Sequence, residues 1–286
     1  KQTSSQTPFH LLMRQPAVAG RFYPDDPEDL EEMISWCFTH RLGPGLPARV
    51  GDSRRISGAM APHAGYMCSG MTAARTYRAL EEDGLPELYV IIGPDHYGTA
   101  MGRTVLCSED FATPLGVCRS DREVCSRLAR RFPDDPRAHS REHAVEVQVP
   151  FIQYIDPDPR IVAVTMGDQS PRSAAELAQA LREACADRDT VVIASTDMSH
   201  YIPKSEAARL DGMVLDRVSE MDVEGMYRTV YGSRVTMCGY GPTAVAMLFS
   251  EGCESRMLGH TDSYDALGMD PDAVVGYASA VFERRN

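Results

Sequence analysis

Apolar residues recur along this chain in two rhythms. Short, nearly unbroken apolar runs at 56–61, 88–92, 160–165, 190–194 and 274–281 predict strands buried on both faces, with 103–106 and 256–260 as weaker candidates. Between them the apolar positions take helical spacing. Leu30, Met33, Ile34, Cys37 and Phe38 form one face behind Asp26-Pro27-Glu28, which supplies a cap, a first-turn proline and an acid near the positive helix end. Ser170-Pro171 opens a second helix, with Ala174, Leu177, Ala178 and Leu181 on one side. Further helices are predicted at 72–82, 122–131, 142–154, 205–220 and 243–249. Buried strands alternating with helices imply an α/β protein of three layers: a mostly parallel or mixed central sheet with helices on both faces, mixed because the last segments look hairpin-like.

The Pro- and Gly-rich pieces 43–47, 133–136 and 156–159 are short and read as loops, and no repeat or linker divides the chain. The expectation is a flexible polar lead over 1–13 and a single α/β domain over 14–286.

Three predicted strands end alike. The first runs into Pro62-His63-Ala64-Gly65-Tyr66, the second into Gly93-Pro94-Asp95-His96, and the third into Ser195-Thr196-Asp197-Met198-Ser199-His200. In open α/β sheets, ligand sites form beyond the carboxyl ends of the strands, so three histidines far apart in sequence can converge there on tight, rigid turns. Any one of them alone fits a simple turn cap; three in one setting favour a shared site. Cys238, beside Gly239 and Gly241 and ahead of a helix, is expected to have a lowered thiol pKa and to suit a transition metal. An ordinary buried thiol is an equal reading. His143 and Glu146, three apart, would share a face of the 142–154 helix, as an acid/base pair lining the pocket or as a plain surface pair. His10, His40, His139, His260 and the remaining cysteines, Cys68 included, receive no role.

Composition narrows the function. The chain has 286 residues, 43% apolar and 24% charged, and a net charge of −12. With no basic stripe, this argues against nucleic acid as a partner. No apolar run approaches the roughly 20 residues of a membrane span. The eight cysteines include no C-x-x-C pair, and residues 1–14 lack a secretory apolar core, so a reduced, cytoplasmic protein is expected.

The ordered series Gln15-Pro-Ala-Val-Ala-Gly-Arg-Phe-Tyr-Pro24, Ala61-Pro-His-Ala-Gly-Tyr66, Gly93-Pro-Asp-His96, Thr113-Pro-Leu-Gly116, Glu142-His-Ala-Val-Glu146, Ser195-Thr-Asp-Met-Ser-His200 and Cys238-Gly239 resembles the Memo-like family, from Arg14 to Phe282. The resemblance implies a fold like that of the class III extradiol dioxygenases, which use non-haem Fe(II). It implies metal ligands at His63, His96 and Cys238, with Asp197 and His200 beside them. In microbes it implies AMMECR-like and radical-SAM proteins as partners, the set called AmmeMemoRadiSam. Compared with the animal form, Tyr97 replaces a second histidine and Tyr240-Gly241 replaces Arg-His, so a peptide-binding role does not carry over. A cysteine in place of the dioxygenase carboxylate also keeps ring cleavage from being copied across. The leading expectation is a redox enzyme with Fe(II), an oxidisable small molecule and O2 or another oxidant. In it His200 acts as general acid/base oriented by Asp197, and His143 and Glu146 line the pocket or tune the ligands. Zinc or copper are other metals the ligand set admits. A zinc hydrolase, or a binding or metal-handling module without turnover, are the alternatives.

Overall fold

The structure is a computed structural model that describes residues 13–286. The polar lead expected over 1–13 falls outside the described residues, except that Met13 already pairs in β1 (Met13–Arg14).

One mixed sheet of eleven strands organises the described residues. Its centre is the parallel set β7 (Arg160–Met166), β3 (Leu88–Pro94), β8 (Thr190–Ser195) and β2 (Ile56–Ala61), neighbours in that order. Toward one edge β11 (Val274–Glu283) and β10 (Glu254–Asp262) follow, both antiparallel, and β9 (His200–Ile202) pairs with the start of β11. Toward the other edge, β6 (Gly116–Ser120), β5 (Asp110–Thr113) and β1 follow, while β4 (Thr104–Cys107) pairs antiparallel with β7.

The central strands alternate between two cores. Leu88, Val90 and Ile92 of β3 join one apolar cluster, and Tyr89 and Ile91 join the other. The first cluster is covered by α3 (Arg122–Leu128), α5 (Pro171–Ala184), α6 (Lys204–Ser219), α7 (Val223–Gly232) and α8 (Tyr240–Phe249). The second is covered by α1 (Pro27–Thr39), α2 (Tyr66–Asp83) and α4 (Val149–Ile155). Three layers follow because a strand apolar at every position must be covered on both sides. No described helix is long and apolar enough to cross a membrane.

The sequence reading differs from the structure at one place that matters for the site. The expected 142–154 helix is a 3-10 turn over Glu146–Gln148 leading into α4. Pro150 has no N–H to continue a helix back to Glu146, and the Glu142 carboxylate takes the N–H groups of His143 and Ala144 instead. The hairpin β5–β6 and helix α7 are further elements the periodicity did not predict.

Candidate metal centre

Because β3, β8 and β2 are parallel neighbours, their carboxyl ends lie along one edge of the sheet. His63 follows β2 by two residues, His96 follows β3 by two, and Asp197 follows β8 by two. Cys238 arrives from the bend before α8. It is fixed to the β8 end by two contacts: the Asp197 N–H donates to Cys238 Sγ at 3.2 Å, and the Cys238 N–H donates to the Asp197 carbonyl at 3.3 Å. Gly239 permits this approach, since a Cβ there would stand 2.6 Å from Thr196 Cβ. One ligand atom each from His63, His96 and Cys238 lies within 4.8 Å of the others, with Cys238 Sγ 3.2 Å from His63 Nε2.

Hydrogen bonds set which nitrogens face the cluster. The Ser195 hydroxyl donates its one proton to the Ala144 carbonyl at 2.6 Å and accepts from the Gln148 amide at 2.9 Å. His63 Nδ1, 2.9 Å from the same oxygen, must therefore be the donor. That leaves the Nε2 lone pair aimed at Cys238. At His96, Nδ1 lies 2.8 Å from Glu142 Oε1, and the other Glu142 oxygen accepts the His96 backbone N–H at 2.7 Å. A carboxylate accepts, so Nδ1 again carries the proton. This is the outer-layer arrangement typical of metal-bound histidines. Metal–nitrogen and metal–sulfur bonds of about 2.0–2.3 Å put neighbouring ligand atoms at about 3.5 Å in a tetrahedral site. The 3.2 Å between His63 Nε2 and Cys238 Sγ is close to that spacing, and the two imidazoles and the thiol are a donor set that suits a transition metal.

The charges are set by burial and by these contacts. Burial pulls the His63 imidazole down to about 3 and the His143 imidazole down to about 4. At His96 burial also lowers the value, but the hydrogen bond and charge of Glu142 more than offset it, and the result is a raised pKa. Burial alone would raise Glu142; the His96 hydrogen bond and charge outweigh it and hold the carboxyl at about 2. Asp197 is pushed up by burial. The Cys238 thiol is also pushed up, first by burial and then by the Asp197 carboxylate. This corrects the lowered thiol pKa expected from its place before a helix: desolvation and a neighbouring anion exceed the helix dipole.

Other predicted residues are sorted by the fold. His143 lines the cleft over the cluster, stacked on His96 with ring centroids 4.5 Å apart and edge-on to His63 at 5.3 Å. Its Nδ1 is buried without a hydrogen-bond partner. Glu146 does not join it. That side chain is wholly buried on another side, where it pairs with Arg14 and accepts from the Tyr23 hydroxyl at 2.6 Å and the N–H groups of Ala17 and Val18. The expected His143–Glu146 pair is thus not formed. Asp197 holds the His63 backbone N–H at 2.8 Å and does not orient His200. His200 lines the same cleft, and its Nδ1 donates to the Thr236 carbonyl at 2.7 Å, which leaves Nε2 free. The cleft has a volume of about 520 Å³.

The family model described as Memo-like protein matches residues 14–281. The chain belongs to the Memo-like family. It is similar to MEMO1 family proteins of Methanopyrus kandleri (43% identical over 283 residues, 96% of this chain and 100% of the relative) and Methanothermobacter thermautotrophicus (44% over 275 residues, 93% and 99%). A crystal structure of an uncharacterized protein from Escherichia coli K12 shares the fold at TM-score 0.51 and 11% identity, over 78% of this chain and 99% of that one.

Three residues that hold this Memo-like site carried no sequence signal of their own: Glu142, Gln148 and Ser195. Each lies inside or beside a motif, but its role exists only once the segment around Ala144 is folded against the ends of β2, β3 and β8. Glu142, His96 and His143 also form a group with atoms within 4.8 Å. There Glu142 Oε1 is already engaged by His96 Nδ1 and by the N–H groups of His143 and Ala144, so it belongs to the supporting layer.

Proposed function

We propose that this Memo-like protein is a metal-dependent redox enzyme that holds iron(II) on His63, His96 and Cys238 and oxidises a small molecule with O2 or another oxidant. The observation that carries the reading is the pair of histidines whose Nδ1 protons are both committed to outer partners, which leaves each Nε2 a lone pair, that of His63 3.2 Å from the Cys238 sulfur. Iron bound there would supply positions for a substrate donor and an oxidant together with one-electron chemistry.

The chain's own residues supply the rest. Ser195 and Gln148 hold the His63 ring, and Glu142 holds the His96 ring. His143 and Phe22, with ring centroids 4.7 Å apart, line the cleft beside the cluster. His200 Nε2, fixed by the Thr236 carbonyl behind it, takes or gives a proton at the cleft wall. The Cys238 thiol, its pKa raised, would lose its proton to water when a metal cation takes its sulfur.

The test is elemental analysis of protein purified without oxygen, beside a Cys238→Ser variant. About one iron per chain, lost or much weakened in the variant, is the expected result. Zinc in its place favours a metal hydrolase. No metal after reconstitution with iron refutes the redox reading and leaves a binding module.

A further inference from the structure

The cleft extends well past the proposed ligands. Its opposite wall is built by α9 (Ser263–Leu267), the loop after it and the start of β11. That wall presents Leu267, Met269, Ala273 and Val275, with Tyr277 and Tyr201 at its sides. Leu267, Met269 and Tyr201 are 42%, 62% and 74% exposed, and large apolar side chains left open along one cleft are informative where scattered ones are not. Tyr201 is held there at φ +57, a left-handed conformation that a tyrosine rarely adopts, by the pairing of β9 with β11. Such conformations persist where surrounding structure imposes them, often at functional sites.

Charge divides this wall from an anion-binding one. Among the described residues no lysine or arginine lines the cleft, whereas Asp197 and Asp270 both do. The Arg141 guanidinium lies over the Tyr97 ring at 5.1 Å, outside the lining. The whole chain carries −12. An anionic ligand body would meet two carboxylates and, among the described residues, no lysine or arginine to offset them.

We propose that this wall is a subsite for the body of the substrate, and that the substrate is an uncharged molecule with an apolar body and one metal-binding donor. The inference rests on the metal-site reading above. The volume of about 520 Å³ lies within the range of small-molecule sites and exceeds what a donor group alone would fill. Leucine, methionine, valine and tyrosine surfaces suit an apolar ligand body.

The experiment uses the protein loaded with cobalt(II), whose visible bands report each new donor, and three probes sharing one donor group: imidazole, 4-phenylimidazole and 4-(imidazol-4-yl)benzoate. Imidazole shifts the bands. The phenyl probe binds at least about tenfold tighter, as burial of a phenyl ring predicts, and the benzoate binds no tighter than imidazole. In Leu267→Asp the phenyl gain falls below about threefold, while Leu267→Met keeps it; the cobalt bands before ligand addition show that each variant is folded. Equal affinity for imidazole and 4-phenylimidazole overturns the subsite while the metal reading stands. A benzoate as tight as the phenyl probe overturns the assignment to uncharged ligands. Bands that imidazole leaves unchanged overturn the open metal position, and the subsite with it.

Discussion

Glu142 and Glu146 stand one turn apart in sequence and are buried alike, at 2% and 0% exposure. Each is surrounded by donors. Glu142 accepts from His96 Nδ1 and from the N–H groups of His96, His143 and Ala144. Glu146 accepts from Arg14, the Tyr23 hydroxyl and the N–H groups of Ala17 and Val18. The carboxylates are satisfied to the same degree, and what differs is whose donors satisfy them. One carboxylate serves the proposed metal ligands; the other ties the segment from Arg14 to Tyr23 onto the body of the protein. A buried charge with a full set of hydrogen bonds is therefore not by itself a sign of a site. The identity of its partners decides.

The contrast can be broken by substitution. Glu146→Ala leaves Arg14 buried without its counter-charge and is expected to cost about 3–5 kcal/mol of stability, read from urea denaturation of the metal-free protein. Glu142→Gln is expected to weaken metal binding about 10–100-fold with a smaller stability loss, read by competition with a chelator. If both variants lose stability and neither changes metal affinity, the distinction between the two carboxylates fails.

The pH dependence sharpens the same point. His63 and His143 are held neutral in the folded protein, at about 3 and about 4, whereas unfolded they protonate near 6.5. The unfolded chain then binds more protons, so stability falls as the pH drops from about 6.5 toward 4, by about 1.4 kcal/mol per pH unit for each group. His96, with a raised value, acts oppositely: its contribution is present below about 6.5 and is lost as the pH rises through the raised value. Urea midpoints of the metal-free protein at pH 7, 6 and 5 measure the slope, and His143→Phe should remove about a third of the loss below 6.5, since buried His139 is also held down, at about 4. An unchanged slope in that variant counts against a neutral His143. The smallest effect is expected from His200→Ala, which should leave metal content intact and change stability by less than about 0.5 kcal/mol while impairing turnover. Loss of metal in this variant contradicts its placement on the cleft wall.

Much of the fold could be read from the chain because strands buried on both faces announce themselves as unbroken apolar runs, as 88–92 and 190–194 do. The β5–β6 hairpin could not, since its strands Asp110–Thr113 and Gly116–Ser120 are too short to establish an alternation. His63 and His96 were legible at the site because each follows a strand end, which is a local feature. Glu142 was not, because its contact with His96 spans 46 residues and depends on an irregular segment. The thiol pKa of Cys238 was read with the wrong sign for a related reason: the helix start is visible in sequence, whereas burial and the nearby Asp197 carboxylate are not.

The order of strands across the sheet also has a temporal side. β2, β8 and β3 are neighbours in space but are synthesised far apart in time, and the cysteine sulfur lies 175 residues downstream of the His63 nitrogen it faces. A nascent chain therefore carries both imidazoles long before it carries the thiol, and no amino-terminal fragment ending before β8 can close the sheet that brings them together. Pairing at such separations is slow to form. The three proposed ligands are thus together only in chains already translated through residue 238.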